Sequence, residues 1–352
     1  MAQRSDARQE FFMRAIGFYS NHPATSDEAL VDIDLPMPAA TGRDLLVEIK
    51  AISVNPVDTK VRRNQTPPAG EARILGYDAA GVVKAVGPDV TLFKPGDEVY
   101  YAGAVNRPGT NAEYHLVDER IVGLKPKTLS FAEAAALPLT AITAYEALFH
   151  RIKVQEPVPG AARAILITGG AGGVGSIAIQ LAKELTDLAV IATASRPETV
   201  EWAKSLGADH VIDHAKPLAA DYAALGIGAP GYIFSVTHSS QHRLAMAEII
   251  APAGRICLID DFPEGFDILA FKPKAVSLHW EMMFSRPVFE TPDMIEQHKL
   301  LTHVAELIDA GKIRTTLETV LGPITAANLR KAHQIIESNR ARGKIVLEGF
   351  PV

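Results

Sequence analysis

The sequence predicts an α/β protein of two domains, a β-rich domain of short strands and a doubly wound parallel sheet with helices on its faces. Three observations predict it. The apolar run Ala164-Ile165-Leu166-Ile167-Thr168 breaks into the glycines of Gly169-Gly170-Ala171-Gly172-Gly173-Val174-Gly175 and resumes as a helical pattern with Ile177, Ala178, Leu181, Ala182 and Leu185 on one face. Beyond it, short apolar strands alternate with helical segments, the order a parallel sheet requires. Before it, strands punctuated by Gly and Pro at intervals of about ten residues indicate a compact, barrel-like β domain. At 352 residues the chain exceeds the usual size of one core.

In chain order, residues 1–12 are mostly polar and read as a leader or tag, because Met13-Arg14-Ala15-Ile16-Gly17-Phe18 reads as a natural first strand. Residues 45–54 alternate as a strand and run into the turn formers Asn55-Pro56-Val57-Asp58, and residues 80–87 and 93–100 are further strands. Residues 131–137 form an alanine-rich helix ended by Pro138, and residues 140–150 form a second helix. The β domain (13–138) therefore hands over to a new domain (139–289). Its strands after the glycines lie at 189–194, 210–212, 232–236, 254–259 and 275–278, six with the first, and helices stand between them at 198–206, around 218–225 and at 241–250. The tail from 290 carries an amphipathic helix at 294–310, a strand at 316–321, a helix at 326–339 and the strand Lys344-Ile345-Val346-Leu347. The segment after Gly311 resembles the β-rich start in style, and the tail is expected to return to it.

The spacing Gly170-x-Gly172-x-x-Gly175, between strand and helix, serves three physical needs: a tight turn, close approach of a pyrophosphate to the backbone, and close helix–strand packing. The amides of this turn, with Gly173 and Val174, and the positive end of the helix dipole would hold the phosphates of a dinucleotide. After the second strand, where an acidic residue would hold a ribose 2′-hydroxyl, stand Ser195 and Arg196, a hydroxyl and a guanidinium that suit a 2′-phosphate. That favours NADPH. The same Ser195 also has capping-box spacing to Glu198, and a solvated Arg196 is the plain alternative.

A formal net charge of -6 argues against a nucleic-acid or anionic-membrane partner and leaves a small molecule. No apolar run is long enough to span a bilayer, and no basic segment followed by an apolar core opens the chain, so neither a membrane span nor a secretion signal is expected. The one cysteine, Cys257, lies in the apolar run Ile256-Cys257-Leu258-Ile259 and reads as a buried small hydrophobe. A reducing, cytoplasmic location fits a chain that has no disulfide to make.

Several motifs together carry a resemblance: Asn55-Pro56-Val57-Asp58, Gly76-Tyr77-Asp78-Ala79-Ala80-Gly81-Val82-Val83, Lys94-Pro95-Gly96-Asp97-Glu98-Val99, the glycine turn with Gln180-Leu181-Ala182-Lys183, Leu206-Gly207-Ala208-Asp209, and Gly343-Lys344-Ile345-Val346-Leu347. From Met13 on, the chain resembles the medium-chain dehydrogenase/reductases, and within them the zinc-independent quinone oxidoreductase branch related to zeta-crystallin. Thr237-His238, Asp260-Asp261 and Ser277-Leu278-His279-Trp280-Glu281-Met282-Met283-Phe284 are similar to a bacterial subgroup labelled zinc-type alcohol dehydrogenase-like. The resemblance implies a GroES-like catalytic domain, a Rossmann domain for NADP(H), and hydride transfer to a quinone or an α,β-unsaturated carbonyl. Zinc members place a cysteine near Asn55, a His-Glu pair after Gly76 and four cysteines elsewhere, whereas this chain has Asn55, Tyr77-Asp78 and only Cys257. No metal ligand carries over, and no zinc is expected. Without a Lewis acid an alcohol has no ready way to lose its proton, while a conjugated double bond needs mainly a positioned hydride and a donor to the developing enolate.

The resemblance also places residues. It implies that Asn55 and Asp58 face the nicotinamide and substrate, with Asn55 the first choice for a hydrogen bond to either, and that the Tyr77 phenol points toward the cleft, as proton donor or as packing. Lys60 reads as a donor or a surface charge. Thr140 and Thr143 match positions near the cofactor, or cap a helix. His238 and His279 follow the fourth and sixth strands, where a doubly wound sheet keeps its ligands, and His238 is expected to line the nicotinamide pocket. Trp280 and Met283, with Met282 and Phe284, read as a substrate pocket or a subunit contact. The branch implies a homodimer. Two other readings stay open: an alcohol dehydrogenase or carbonyl reductase, and a non-catalytic NADPH-binding protein.

Overall fold

The computed structural model describes residues 12–262 and 265–351. Its strands in chain order are β1 (Phe12–Phe18), β2 (Val31–Pro36), β3 (Asp44–Val54), β4 (Arg73–Ile74), β5 (Asp78–Val86), β6 (Glu98–Ala102), β7 (Tyr114–Asp118), β8 (Val122–Leu124), β9 (Ala162–Ile167), β10 (Ala189–Thr193), β11 (His210–Ile212), β12 (Pro230–Ser235), β13 (Arg255–Leu258), β14 (Ser277–Trp280), β15 (Leu317–Val320) and β16 (Lys344–Glu348). Two compact units result, one made of the chain up to Leu139 together with the chain from Phe284 on, the other of Thr140–Met283.

In the first unit, β3 is the central strand. Its alternation turns Leu45, Val47, Ile49 and Ala51 inward, and this fixes its register, because a slip of one residue would expose all four. Leu45, Val47 and Ile49 pack with Val83, Val99, Tyr101, Leu329, Ile345 and Leu347 in one core. The sheet order is β15-β16-β3-β5-β6-β8, with β7 also on β3, and a smaller sheet runs β2-β1-β4. Antiparallel pairing sets Ile345 against Val54 and Ser53 against Asp78. The end of β3, the start of β5 and the start of β16 therefore meet at one edge of the barrel. That meeting point positions the polar site described below.

In the second unit, six strands stand in the order β11-β10-β9-β12-β13-β14, and every pair is parallel. Counted along the unit this is 3-2-1-4-5-6, the doubly wound order whose ligands lie outside the carboxyl ends of the strands where the order reverses, here between β9 and β12. Ala164, Ile165, Leu166 and Ile167 of β9 are all buried, as a strand covered on both faces requires.

The structure departs from the sequence reading in definite places. Phe12, read as the end of a leader, belongs to β1, and residues 1–11 lie outside the described residues. Asn55-Pro56-Val57-Asp58 is not a free turn but the start of a helix, Pro56–Asn64, with Asn55 at its N-cap. Asn before Pro suits a helix start as well as a turn. Pro138 opens the helix Pro138–Tyr145 rather than ending the shorter one at Phe131–Ala135, and the π-helical turn Glu146–Arg151 completes the segment expected as one helix. The strand expected over 93–100 begins only at Glu98, because Lys94 to Asp97 closes a turn on Gly96 at φ +96°. The sixth strand lies two residues later than expected, because Ile268–Lys274 forms a 3₁₀ segment that ends with Ala275 in the left-handed region. The chain rejoins the first unit at Phe284 rather than at 290, and there the Phe284 ring meets Tyr77 edge to face at 5.2 Å.

Candidate active site

In the second unit the helix Gly173–Leu185 starts directly behind β9, with Gly172 at its N-cap. The first-turn amides of Gly173, Val174 and Gly175 have no acceptor within the helix, since a helix begins with donors only. Each glycine of the turn has its own reason. Gly169 takes φ +63° and makes the tight turn, a role the sequence pattern had assigned one residue later. A Cβ on Gly170 would stand 2.7 Å from the Ala192 Cβ, and one on Gly175 would stand 2.3 Å from the Gly169 carbonyl oxygen. A Cβ on Gly172 would meet only that same oxygen, at 3.4 Å, so this position is open for a phosphate to approach.

Neighbouring strand ends close the turn. Thr193 Oγ1 accepts the Gly169 amide at 3.0 Å, and Thr168 Oγ1 accepts the Val236 amide at 2.8 Å. His238 sits at the N-cap of the helix Ser239–Ile249 in the left-handed region, φ 56°, with its Nδ1 2.8 Å from Thr237 Oγ1. A Cβ on Gly169 would stand 2.8 Å from the methyl carbon of that same Thr237, so the β12 loop lies directly on the glycine turn. Two histidines that sequence reasoning passed over stand in this neighbourhood. His214 Nδ1 lies 3.3 Å from Thr193 Oγ1, and the His242 ring is 6.4 Å from that of His214. Burial lowers the pKa of both, and His238 acts on each in the same direction.

Ser195 is exposed and Arg196 half-buried at the end of β10. The expected cap from Ser195 to Glu198 is replaced by one residue's shift. The helix Pro197–Ser205 starts from Arg196, whose amide donates to Thr199 Oγ1 at 3.2 Å, while the Arg196 guanidinium lies 3.3 Å from Glu198. Thr140 and Thr143 are buried within the helix Pro138–Tyr145, one turn apart and past its first residue, so neither is its cap. His279 lies inside β14 rather than beyond its end. Trp280 and Met283 are not brought into one pocket: Trp280 is 59% exposed and packs on the Phe262 ring at 5.0 Å, whereas Met283 is buried.

The first unit holds a closed polar cluster at the meeting point of β3, β5 and β16. Asp58 Oδ2 accepts the Asn55 amide at 2.7 Å, and Asp58 Oδ1 accepts the Gly76 amide at 3.0 Å. Asp78 Oδ1 accepts the Leu139 amide at 2.7 Å. Asp78 Oδ2 accepts from Asn55 Nδ2 at 2.8 Å and from the Lys344 ammonium at 2.9 Å. Lys344 Nζ also donates to Asn55 Oδ1 and to the Val54 carbonyl. Asn55, Asp58, Asp78 and Lys344 are all buried. Burial pushes the Asp58 carboxyl up to about 7, against the pull of the two amides and of Lys344. Asn55, expected to present its amide to a ligand, instead spends both ends of it inside this cluster. Lys60 lies exposed on the helix that Asn55 caps.

Tyr77 stands between two anchored residues, Gly76 held by Asp58 and Asp78 held by Lys344. Its hydroxyl is buried and has no well-formed hydrogen bond among the described residues, although the Arg73 guanidinium is near enough to act on it through its charge and as a weak donor. Burial first, and the Asp58 carboxylate second, push the phenol up to about 12. Asp78 and Lys344 were missed as site residues, although both lie in the motifs Gly76-Tyr77-Asp78 and Gly343-Lys344-Ile345 that carried the resemblance. Cys257 is buried as expected, and burial raises its thiol pKa. Among the described residues no helix is long and apolar enough to cross a membrane.

Comparison with known proteins places these sites in context. Residues 41–143 match the alcohol dehydrogenase GroES-like domain, and residues 206–347 match the zinc-binding dehydrogenase family. The chain is 42% identical over 336 residues to a zinc-type alcohol dehydrogenase-like protein of Staphylococcus aureus, covering 95% of this chain and 99% of that one. It is 29% identical over 339 residues to the chloroplastic NADPH-dependent alkenal/one oxidoreductase of Arabidopsis thaliana, covering 92% of this chain and 77% of that one. A crystal structure from Rhizobium etli, provisionally assigned as a zinc-dependent alcohol dehydrogenase, matches with 65% identity and a TM-score of 0.95 over 97% of this chain and 99% of that one.

Proposed function

The chain belongs to the medium-chain dehydrogenase/reductase family and is a nicotinamide-dependent oxidoreductase, and from that premise we propose that it reduces the conjugated double bond of a quinone or an α,β-unsaturated carbonyl with NADPH, without a metal, using the Tyr77 phenol as proton donor. The observation that carries this reading is the buried Tyr77 hydroxyl, which has no well-formed hydrogen bond among the described residues. A buried polar atom without a partner costs free energy, so its persistence in an otherwise satisfied cluster asks for a partner that arrives with the substrate. With its pKa raised to about 12, the phenol stays protonated at neutral pH and is fit to donate. Hydride addition to the β-carbon throws negative charge onto the carbonyl oxygen, and a placed O–H lowers the barrier by stabilising that charge or by delivering the proton. Quinones share the same conjugated system, so one donor serves both.

The cofactor fits the second unit. Gly172 leaves the room that a side chain would take, and the amides of Gly173, Val174 and Gly175 would receive the pyrophosphate. Gly170 keeps β10 close to the turn. Ser195 and Arg196 would take the 2′-phosphate, His238 stands beside the glycine turn, and Thr140 and Thr143 are proposed to lie near the nicotinamide. Bound there, NADPH supplies the hydride. The Arabidopsis protein, whose name specifies NADPH and alkenals or alkenones, supports both the cofactor and the substrate class.

Zinc does not fit the residues of the Asn55–Asp78 cluster. Zinc is held by thiolate, imidazole or carboxylate. Here both ends of the Asn55 amide and both Asp78 oxygens already hold hydrogen bonds, and one of their donors is an ammonium that would repel a dication. A homodimer is proposed through the free edge of the second sheet, where β14 exposes Trp280 and Met282 follows exposed; light scattering on the purified protein reads it.

The experiment follows NADPH and NADH oxidation in parallel against a panel of quinones, enones, aldehydes and alcohols, with zinc determined on the same sample. Turnover of quinones or enones with NADPH and without zinc is the expected result. Turnover confined to alcohols or aldehydes with stoichiometric zinc overturns it, and tight NADPH binding with no turnover moves the protein to a binding role.

A further inference from the structure

We propose that Lys344 is the resident cation of the Asn55–Asp78 cluster, a positioning residue whose ammonium fixes the Asn55 amide and the Tyr77 segment and fills the place a divalent ion would need. An ammonium has three N–H donors, and all three are used: on Asp78 Oδ2 at 2.9 Å, on the Val54 carbonyl at 3.3 Å and on Asn55 Oδ1. Its partner charge is fully buried, and Lys344 itself is 4% exposed at the side chain. The arrangement settles which way the Asn55 amide faces, because only its oxygen can meet the ammonium and only its nitrogen can meet Asp78.

The consequence reaches Tyr77 through the backbone. Asp78, immediately after Tyr77, is held from β3 through Asn55, from β16 through Lys344, and from the helix Pro138–Tyr145 through the Leu139 amide. Gly76, immediately before, is held by Asp58, whose second oxygen holds the Asn55 amide. Lys344 joins positions 266 residues apart in sequence, so the chain's last strand sets the geometry of the loop that carries the phenol. A buried ion pair is no cheaper than an apolar pair of the same size, so positioning is the better account of why a charge stands here.

The role in turnover rests on the reductase reading, but the charge pairing and the metal exclusion do not, and the test separates them. The full-length wild type, Lys344→Met, Asp78→Asn, the double variant and Lys344→Arg are compared in thermal unfolding, in zinc content after incubation with zinc and passage over a desalting column, and in NADPH-dependent turnover. Each single neutralisation should lower Tm by about 5–15 °C, as expected for breaking a buried pair, and the double variant should recover most of the loss. Wild type should retain no stoichiometric zinc. With a conjugated carbonyl, Lys344→Met and the double variant should both lose roughly 10–100-fold in kcat at unchanged NADPH KM, the scale of a small misplacement of a reacting group. Additive Tm losses, or one zinc per wild-type chain, overturn the resident cation. Recovery of kcat in the double variant along with Tm overturns the positioning role and leaves Lys344 merely structural. If Lys344→Met does not fold, Lys344→Arg and the wild-type zinc content still decide. A wild type inactive on every conjugated carbonyl defeats the reductase reading while the Tm coupling and zinc arms stand.

Discussion

Arg151 Nε donates to the buried Glu281 carboxylate at 2.7 Å, and a second guanidinium nitrogen of the same arginine lies 3.8 Å from the equally buried Glu146. One positive charge thus serves two carboxyl groups inside the second unit. Burial first, and Glu146 second, raise the Glu281 carboxyl well above the usual carboxylate range.

A carboxyl whose folded pKa lies above its unfolded value binds its proton more tightly when folded, so stability falls as pH rises above the usual carboxylate range. Glu281→Gln removes that dependence. The variant should melt near wild type at pH 5 and above it at pH 9, by on the order of 1–3 kcal/mol. Thermal unfolding across this range checks it, and a variant destabilised equally at every pH would show that the Arg151 contact outweighs the charge.

The glycine turn makes a sharper contrast. At Gly175 a Cβ would press on backbone atoms at 2.3 Å and 2.7 Å that have no freedom to move, whereas at Gly172 it meets nothing nearer than 3.4 Å. Gly175→Ala should destabilise the unit by about 1–3 kcal/mol as an overpacked position. Gly172→Ala should fold as wild type and lose about tenfold or more in NADPH affinity, because its methyl would stand where the phosphate is proposed to approach. Fluorescence titration of NADPH with both variants, beside their melts, reads the difference.

These two glycines also show what was legible in the sequence. The turn, the six parallel strands and the return of the tail were visible because they rest on local signals: glycine spacing, apolar period and strand–helix alternation. Gly169 was assigned no role, because the pattern names spacings and not which residue takes the left-handed φ of +63°. Asn55-Pro56 was misread as a turn because a helix start and a turn favour the same residues. The site around Tyr77 was named but not its construction. Asp78 and Lys344 meet only once β16 pairs with β3 and β3 with β5, and no local pattern reports a contact made across 266 residues. Trp280 and Met283, three residues apart in one motif, were separated by the end of an edge strand.

Tyr77→Phe keeps the ring and its edge-to-face contact with Phe284 and removes only the unpaired hydroxyl. Stability should be unchanged or slightly raised, because a buried unsatisfied group is lost. Turnover should fall about 10²–10⁴-fold with NADPH affinity intact, the usual contribution of a placed general acid. Steady-state kinetics with a direct NADPH binding measurement separates the two, and full activity in Tyr77→Phe would assign the tyrosine to packing.

The most direct test of the central claim is the identity of the product formed from 2-cyclohexenone and NADPH by the metal-free, full-length protein, resolved by gas chromatography. Cyclohexanone, the product of hydride addition to the conjugated carbon followed by protonation, is predicted. 2-Cyclohexenol, or product formed only after zinc is added, would contradict the account.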